Sequence, residues 1–353
     1  LELKDDPGCL CSDLIAGTHG RGFYILDNVT PLRQIAEARS AKAAYLFKPQ
    51  TAVRIRMGTN DPTPWAPELP AGENPPNGAL IDYYLAADMA GPLTIDILDG
   101  AGKVVRTYSS ELKRAVDPAL DPAAYDKICQ INPVAPDCSV PLYWAARTRS
   151  MPTSAGMHRI SWNLRYQPLA TTRAPVDATG AIPGRSSPPP TSAWAPAGEY
   201  TVRLTVGGQS WTQPLTLRMD PRVTTSTADL AQNDKLALEM YELARDARMA
   251  YGQAHDLGQA VAKLESTPRA TRDAFKARID TLAPDEVRGF RGFGRGYQVA
   301  TTLNGVSDAA LAALRSLQSA DTAPTAAQAA ATVRAKEQWQ AVSAKWDEVK
   351  AKD

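Results

Sequence analysis

The chain has 353 residues, 44% of them hydrophobic and 22% charged, and its 39 Lys+Arg against 38 Asp+Glu leave a formal net charge of +1. That balance is too apolar for a disordered chain and too neutral for a protein whose affinity for nucleic acid comes from phosphate neutralisation. At roughly 150 residues per domain the length sets a prior of two to three domains, and no apolar run approaches the roughly 18 to 20 residues of a membrane span.

The first residues, Leu1-Glu-Leu-Lys-Asp-Asp6, lack the charged and then apolar build of a signal peptide, and a chain that begins on Leu is expected to be a mature or truncated product. Residues 13–27, Asp-Leu-Ile-Ala-Gly-Thr-His-Gly-Arg-Gly-Phe-Tyr-Ile-Leu-Asp, read as two short apolar strands around a turn punctuated by Gly17, Gly20 and Gly22. A lone hairpin is barely stable, so this one requires a sheet that the neighbouring sequence does not visibly supply. Thr30 then reads as an N-cap with Pro31 at the first helical position of a short helix through Leu32, Ile35 and Ala38. These features bound a first region at 1–45. Between Asp61 and Pro76 lie Pro62, Pro64, Pro67, Pro70, Pro75 and Pro76, which favour an extended link and bound a second region at 46–76.

From 77 to 221 the pattern is β. Leu80–Leu85 and Leu93–Leu98 alternate or nearly so, and Asp99-Gly-Ala-Gly102 turns the chain into Lys103–Tyr108. In Met157–Leu164 one face carries His158, Ile160, Trp162 and Leu164. Glu199–Val206 puts Tyr200, Val202, Leu204 and Val206 on one side, and Gly207-Gly208 turns it into Gln209–Leu217. Short strands with such turns predict one antiparallel sandwich, interrupted by polar or Pro-rich insertions at 109–154 and 167–197.

After Asp220-Pro-Arg222 the period changes to helical, giving a last region at 222–353. Ser226 or Thr227 can cap, with Asp229 and Asp234 near the positive end of the dipole. Leu236, Met240, Leu243, Ala247, Ala250, Ala254, Leu257, Val261 and Leu264 follow at alternating steps of four and three, a seam for partner helices. Segments 273–282, 308–318 and 325–350 carry matching rows, for example Trp339, Val342, Trp346 and Val349, and predict an antiparallel bundle.

The four cysteines fall into two pairs. A disulfide between Cys129 and Cys138 would hold a Pro-rich loop and imply an oxidising compartment; the alternative is two free thiols in a cytosolic protein. Cys9 and Cys11 are too close for an easy mutual bridge. Only His19, His158 and His255 exist, none at ligand spacing from the cysteines, so no metal and no cofactor is expected.

Thr18-His-Gly-Arg-Gly22 places His19 and Arg21 on a glycine turn where they would meet an anionic ligand; the plainer reading is a hairpin turn whose glycines adopt positive φ and whose His19 and Arg21 bond backbone carbonyls. Arg288-Gly-Phe-Arg-Gly-Phe-Gly-Arg-Gly-Tyr297 interleaves arginine and aromatics as single-strand binders do, against a flexible connection between helices. Asp82, Asp96 and Asp99 are carboxylates of the kind a glycosidase pairs, but turn and strand-surface roles account for them. Trp162, Trp194, Trp211, Trp339 and Trp346 suggest either a carbohydrate platform or core positions. No GxSxG, HExxH, Cys/His dyad or EF-hand loop is present.

Residues 13–27 with Thr30-Pro-Leu-Arg33 resemble the closing blade of secreted bacterial sortilin-like, BNR-repeat β-propeller proteins, which are often labelled glycosyl hydrolases. The resemblance continues through Asn74-Pro-Pro-Asn-Gly78 with Ile81-Asp-Tyr-Tyr-Leu85, Ile97–Arg106, Trp162-Asn-Leu-Arg165, Ala197–Leu204 and Asp220-Pro-Arg222. It implies a multidomain β plus α architecture: a partial propeller blade, an immunoglobulin-like antiparallel sandwich and a C-terminal helical bundle. It also implies a periplasmic or secreted protein whose propeller lies N-terminal to residue 1 and is the first partner, beside a protein or glycan ligand, with no nucleic acid and no membrane span. The Asp-box Ser-x-Asp-x-Gly-x-Thr-Trp is absent, so no catalytic residue transfers. The expected role is a non-catalytic accessory or protein-interaction region; the alternative is a sialidase-like glycoside hydrolase with its active site mostly in the propeller.

Overall fold

Strand-period and helix-period stretches separate in space as they do along the chain. A computed structural model describes residues 1–6, 11–56, 78–111, 151–169, 191–264, 268–284 and 301–352. These divide into two units, Leu1–Pro189 with Trp194–Val223, and Pro190–Ala193 with Thr224–Asp353. The fold is mixed α and β: three sheets, and a C-terminal region built of helices.

The first unit holds all the strands: β1 (Glu2–Asp6), β2 (Cys11–Gly17), β3 (Phe23–Leu26), β4 (Ala44–Leu46), β5 (Ala52–Arg54), β6 (Ala79–Leu85), β7 (Leu93–Leu98), β8 (Val104–Ser109), β9 (Gly156–Trp162), β10 (Gly198–Val206) and β11 (Gln209–Met219). One sheet is the antiparallel meander β1-β2-β3; the others run β5-β11-β10-β7-β8 and β4-β6-β9. Every pair is antiparallel except β5 with β11. The alternation expected of β10 holds, with Tyr200, Val202, Leu204 and Val206 all buried. Register sets Val202 opposite Ile97 and Leu204 opposite Ile95, so two period-2 faces meet in one apolar layer. Gly207 and Gly208 take φ of 55° and 81°, the left-handed pair that a two-residue hairpin requires.

The five-stranded and β4-β6-β9 sheets contribute to a single hydrophobic cluster. Trp162 is its largest member, fully buried, edge-on to Tyr200 at 5.2 Å and donating from Nε1 to the Arg165 carbonyl at 2.9 Å. Strand β6 passes so close to the end of β9 that a Cβ on Gly78 would stand 1.9 Å from the Trp162 carbonyl oxygen, and Gly78 has φ +117°. Only glycine fits there.

Three features depart from the sequence expectations. Strand β1 completes the first hairpin to three strands, which no alternation in Leu1–Asp6 announces. Strands β4 and β5 belong to the two larger sheets and are too short to show a period. The short helix opens as a 3-10 turn over Thr30–Gln34 and continues as α1 (Ile35–Ser40); Val29, not Thr30, is the cap residue, and no side chain caps it. The 3-10 geometry moves Pro31 into the first turn without a capping hydroxyl.

The second unit contains α2 (Thr227–Ala262), α3 (Arg269–Leu282), α4 (Leu303–Leu317) and α5 (Ala326–Lys352). Ser226 caps α2 by accepting from the Asp229 amide at 3.1 Å, and Thr302 caps α4 in the same way. Thr325 and Gln328 form a reciprocal box at the start of α5. The seam is buried from Met240 to Ala254, but a second row, Asn233, Ala237, Tyr241, Ala244, Tyr251 and Gly258, is buried beside it because α2 packs against α3, α4 and α5. Asn233 reaches the Leu317 carbonyl while Ser307 reaches that of Ala244, so α2 and α4 run antiparallel.

Candidate interaction surface

Strand β3, Phe-Tyr-Ile-Leu, is strongly β-forming and more than half exposed at every residue. Phe23 is 82% exposed, Tyr24 and Ile25 59% each and Leu26 53%, so neither face of the strand meets a core. Leu3 on β1 adds to the exposed apolar surface. Among the described residues β3 pairs only with β2, in the register Leu14 opposite Leu26 and Gly17 opposite Phe23. It carries no charge, proline or bulge, the usual protections of a free edge.

This sheet is held by polar contacts. Asp13 accepts the Asn28 amide at 2.9 Å and the Ser12 carbonyl accepts that of Val29 at 2.7 Å. Ser12 and Arg33 both donate to Asp5, and the Ser12 hydroxyl, first, with the Arg33 guanidinium holds the Asp5 carboxyl below its ordinary range. Arg159 on β9 donates from its terminal nitrogens to the carbonyls of Asp27 and Asn28, at 2.9 and 2.8 Å. Its Nε bonds Asp82 at 2.8 Å. Asn28 is buried at φ 51°, a conformation asparagine tolerates. The exit of β3 is thereby tied to the β4-β6-β9 sheet.

His19 and Arg21 sit exposed at the turn between β2 and β3, where Gly20 and Gly22 take φ of 80° and 85° and Thr18 bonds the Gly22 carbonyl through both amide and hydroxyl. Neither the histidine nor the arginine makes a hydrogen bond or ion pair among the described residues, so the carbonyl contacts expected of them are not made. The carboxylates do not converge. Asp96 bonds Arg203 and Thr107, and Asp99 accepts two amides of its turn. Asp82, expected on a strand surface, is buried, and burial pushes its carboxyl up in pKa against the pull of Arg159. The tryptophans are dispersed: Trp162 in the core, Trp194 beneath the Arg165 guanidinium at 3.9 Å, Trp211 at a cleft, and Trp339 and Trp346 in the helical unit. Cys9, Cys129, Cys138 and Arg288–Tyr297 lie outside the described residues.

Among the described residues no group of three or more His, Cys, Asp and Glu gathers at metal-binding distance, and no helix is long and apolar enough to cross a membrane. Sequence reasoning passed over Arg159 and Asn28; the available signal was a charge placed mid-strand on β9 opposite the acid of β6. No protein-family model matches the chain, and no curated protein matches it.

Proposed function

We propose that the chain is a non-catalytic accessory and protein-interaction region of a secreted, sortilin-like β-propeller protein, with β1-β2-β3 as a blade. On this reading the two core-sharing sheets are an immunoglobulin-like sandwich and α2–α5 a bracing bundle. The observation that carries it is β3: four consecutive β-forming residues, exposed on both faces and, among the described residues, paired along one edge alone, at the end of a sheet anchored by Arg159. Exposed apolar area of this kind on a soluble unit marks an interaction site. A blade has both faces covered by its neighbours in the propeller ring, which is the environment β3 lacks.

The test is co-purification of the full chain with a sortilin-like BNR-repeat propeller supplied in trans. Wild type is retained and the double variant Phe23→Asp/Ile25→Asp is lost. Retention of the double variant, or no retention of wild type, overturns the reading. Turnover of glycan substrates by the chain alone removes the non-catalytic assignment.

A further inference from the structure

Strand β4 lies at an edge of its sheet, beside β11 of the other core-sharing sheet. The Phe47 amide bonds Asp82 and the Ala43 carbonyl accepts from Ala86, so on β4 it is Ala44 and Leu46 that turn their main-chain groups away from β6. The Leu46 carbonyl accepts Nε2 of Gln213 on β11 at 3.1 Å. Nearby, between α1 with the segment that leads into β4 and the start of β11, lies an open cleft of about 470 Å³ lined by Glu37, Ser40, Lys42, Tyr45, Gln209 and Trp211.

The lining is partly organised in advance. Trp211 packs against the hydrophobic cluster on one side and borders the cleft on another, which holds the indole in place. Glu37 is exposed, yet its Oε2 accepts the Tyr45 hydroxyl at 2.8 Å. The Tyr45 ring is braced edge-on against Phe47 at 5.1 Å, and burial together with the Glu37 carboxylate pushes the phenol pKa up. Tyr45 therefore stays protonated at neutral pH. Its hydrogen goes chiefly to Glu37, with Gln34 Oε1 a longer second acceptor at 3.4 Å, and the other Glu37 oxygen remains an acceptor.

We propose that this cleft binds a neutral saccharide. The half-buried Trp211 indole borders the cleft, where the C–H face of a pyranose ring can pack against it, and around it stand a carboxylate, an amide, an ammonium and a hydroxyl, the donors and acceptors that ring hydroxyls need. Glu37 and Lys42 balance in charge, which favours an uncharged ligand over an anion or cation. An extended peptide is disfavoured: β4 is three residues long, and of its outward main-chain positions Leu46 already has its carbonyl taken by Gln213. One open position is too little edge for strand addition. The site is separate from β3, so its fate is independent of the propeller reading.

The experiment titrates the full chain with cellotetraose, xylotetraose and tetra-N-acetylchitotetraose, and separately with a proline-rich decapeptide, by calorimetry and tryptophan fluorescence. At least one tetrasaccharide binds with Kd of about 1 mM or tighter. Glu37→Gln and Gln209→Ala, both at exposed positions, each weaken it about tenfold or more, and Trp211→Ala abolishes the fluorescence response, while His19→Ala has no effect. Because Trp211 also packs on the core, the two exposed-site variants decide the matter if that variant does not fold. Failure of all three sugars to bind, binding indifferent to both exposed-site variants, or binding of the decapeptide alone overturns the proposal.

Discussion

Arg159 and Asp82 are direct cross-strand partners on β9 and β6, joined Nε to Oδ1 at 2.8 Å, and the same guanidinium holds the carbonyls of Asp27 and Asn28. The aspartate side chain is 2% exposed and the arginine 32%, so one partner is buried while the other bridges to the edge sheet. Losing the arginine strands a buried charge, whereas losing both groups does not.

Arg159→Gln is therefore expected to destabilise the first unit by about 3 to 5 kcal/mol, and Asp82→Asn/Arg159→Gln by less. Asp82 already has a raised folded-state pKa, so folding takes up protons and its stability contribution declines as pH rises above 3.8. In Arg159→Gln the pKa rises further and that decline extends to higher pH. Hydrogen exchange at Ile81–Tyr83 between about pH 4 and 7 measures it; protection unchanged from wild type across that range refutes the assignment.

Gly78→Ala is expected to cost about 2 kcal/mol or more, because an L side chain at φ +117° is strained and its Cβ meets backbone oxygen rather than a flexible side chain. Gly208→Ala meets strain but no clash, with nothing within 4 Å, and serves as the comparison. Thermal unfolding of the two variants should rank Gly78→Ala lower; the reverse order is inconsistent with the close approach of β6 to Trp162.

In the helical unit, Asn233→Ala leaves the Leu317 and Thr322 carbonyls without the amide that now bonds both, at 3.1 and 2.8 Å. The expected loss is about 1 to 3 kcal/mol. Urea unfolding followed by helical circular dichroism reads it. A change within about 0.5 kcal/mol, the range of ordinary surface substitutions, contradicts a structural role.

At the Asp220-Pro-Arg222 corner the aspartate accepts both the amide and Nε of Arg222, each at 2.9 Å. These bonds, the guanidinium's first, hold the Asp220 carboxyl down at about 2 from 3.8. A depressed folded-state pKa stabilises above the ordinary value and is lost as pH falls from 3.8 towards 2. Asp220→Asn should melt lower than wild type at neutral pH and converge with it near the acid end. An offset that stays constant down to pH 2 would refute the charge linkage, and coincident curves would show that the corner contributes nothing.

Sequence alone determined the elements whose cause is local. The period-2 faces of β7, β9 and β10, the Gly207-Gly208 turn, the Ser226 cap and the Met240–Ala254 seam are set by residues a few positions apart, and they stand where the pattern puts them. Pairing partners and coverage are not local. Strands β4 and β5 exist because β6 and β11 present open edges to three-residue segments too short to carry a period. A charge at position 82 reads as a strand surface until Arg159, 77 residues away and itself held by the Asn28 carbonyl, pairs with it. Phe23–Leu26 reads as a strand needing a core until the tertiary structure leaves it bare. Hydrophobic period says which side of an element is apolar; only the arrangement of distant segments decides whether that side is buried, exposed, or left lining a cleft beside Trp211.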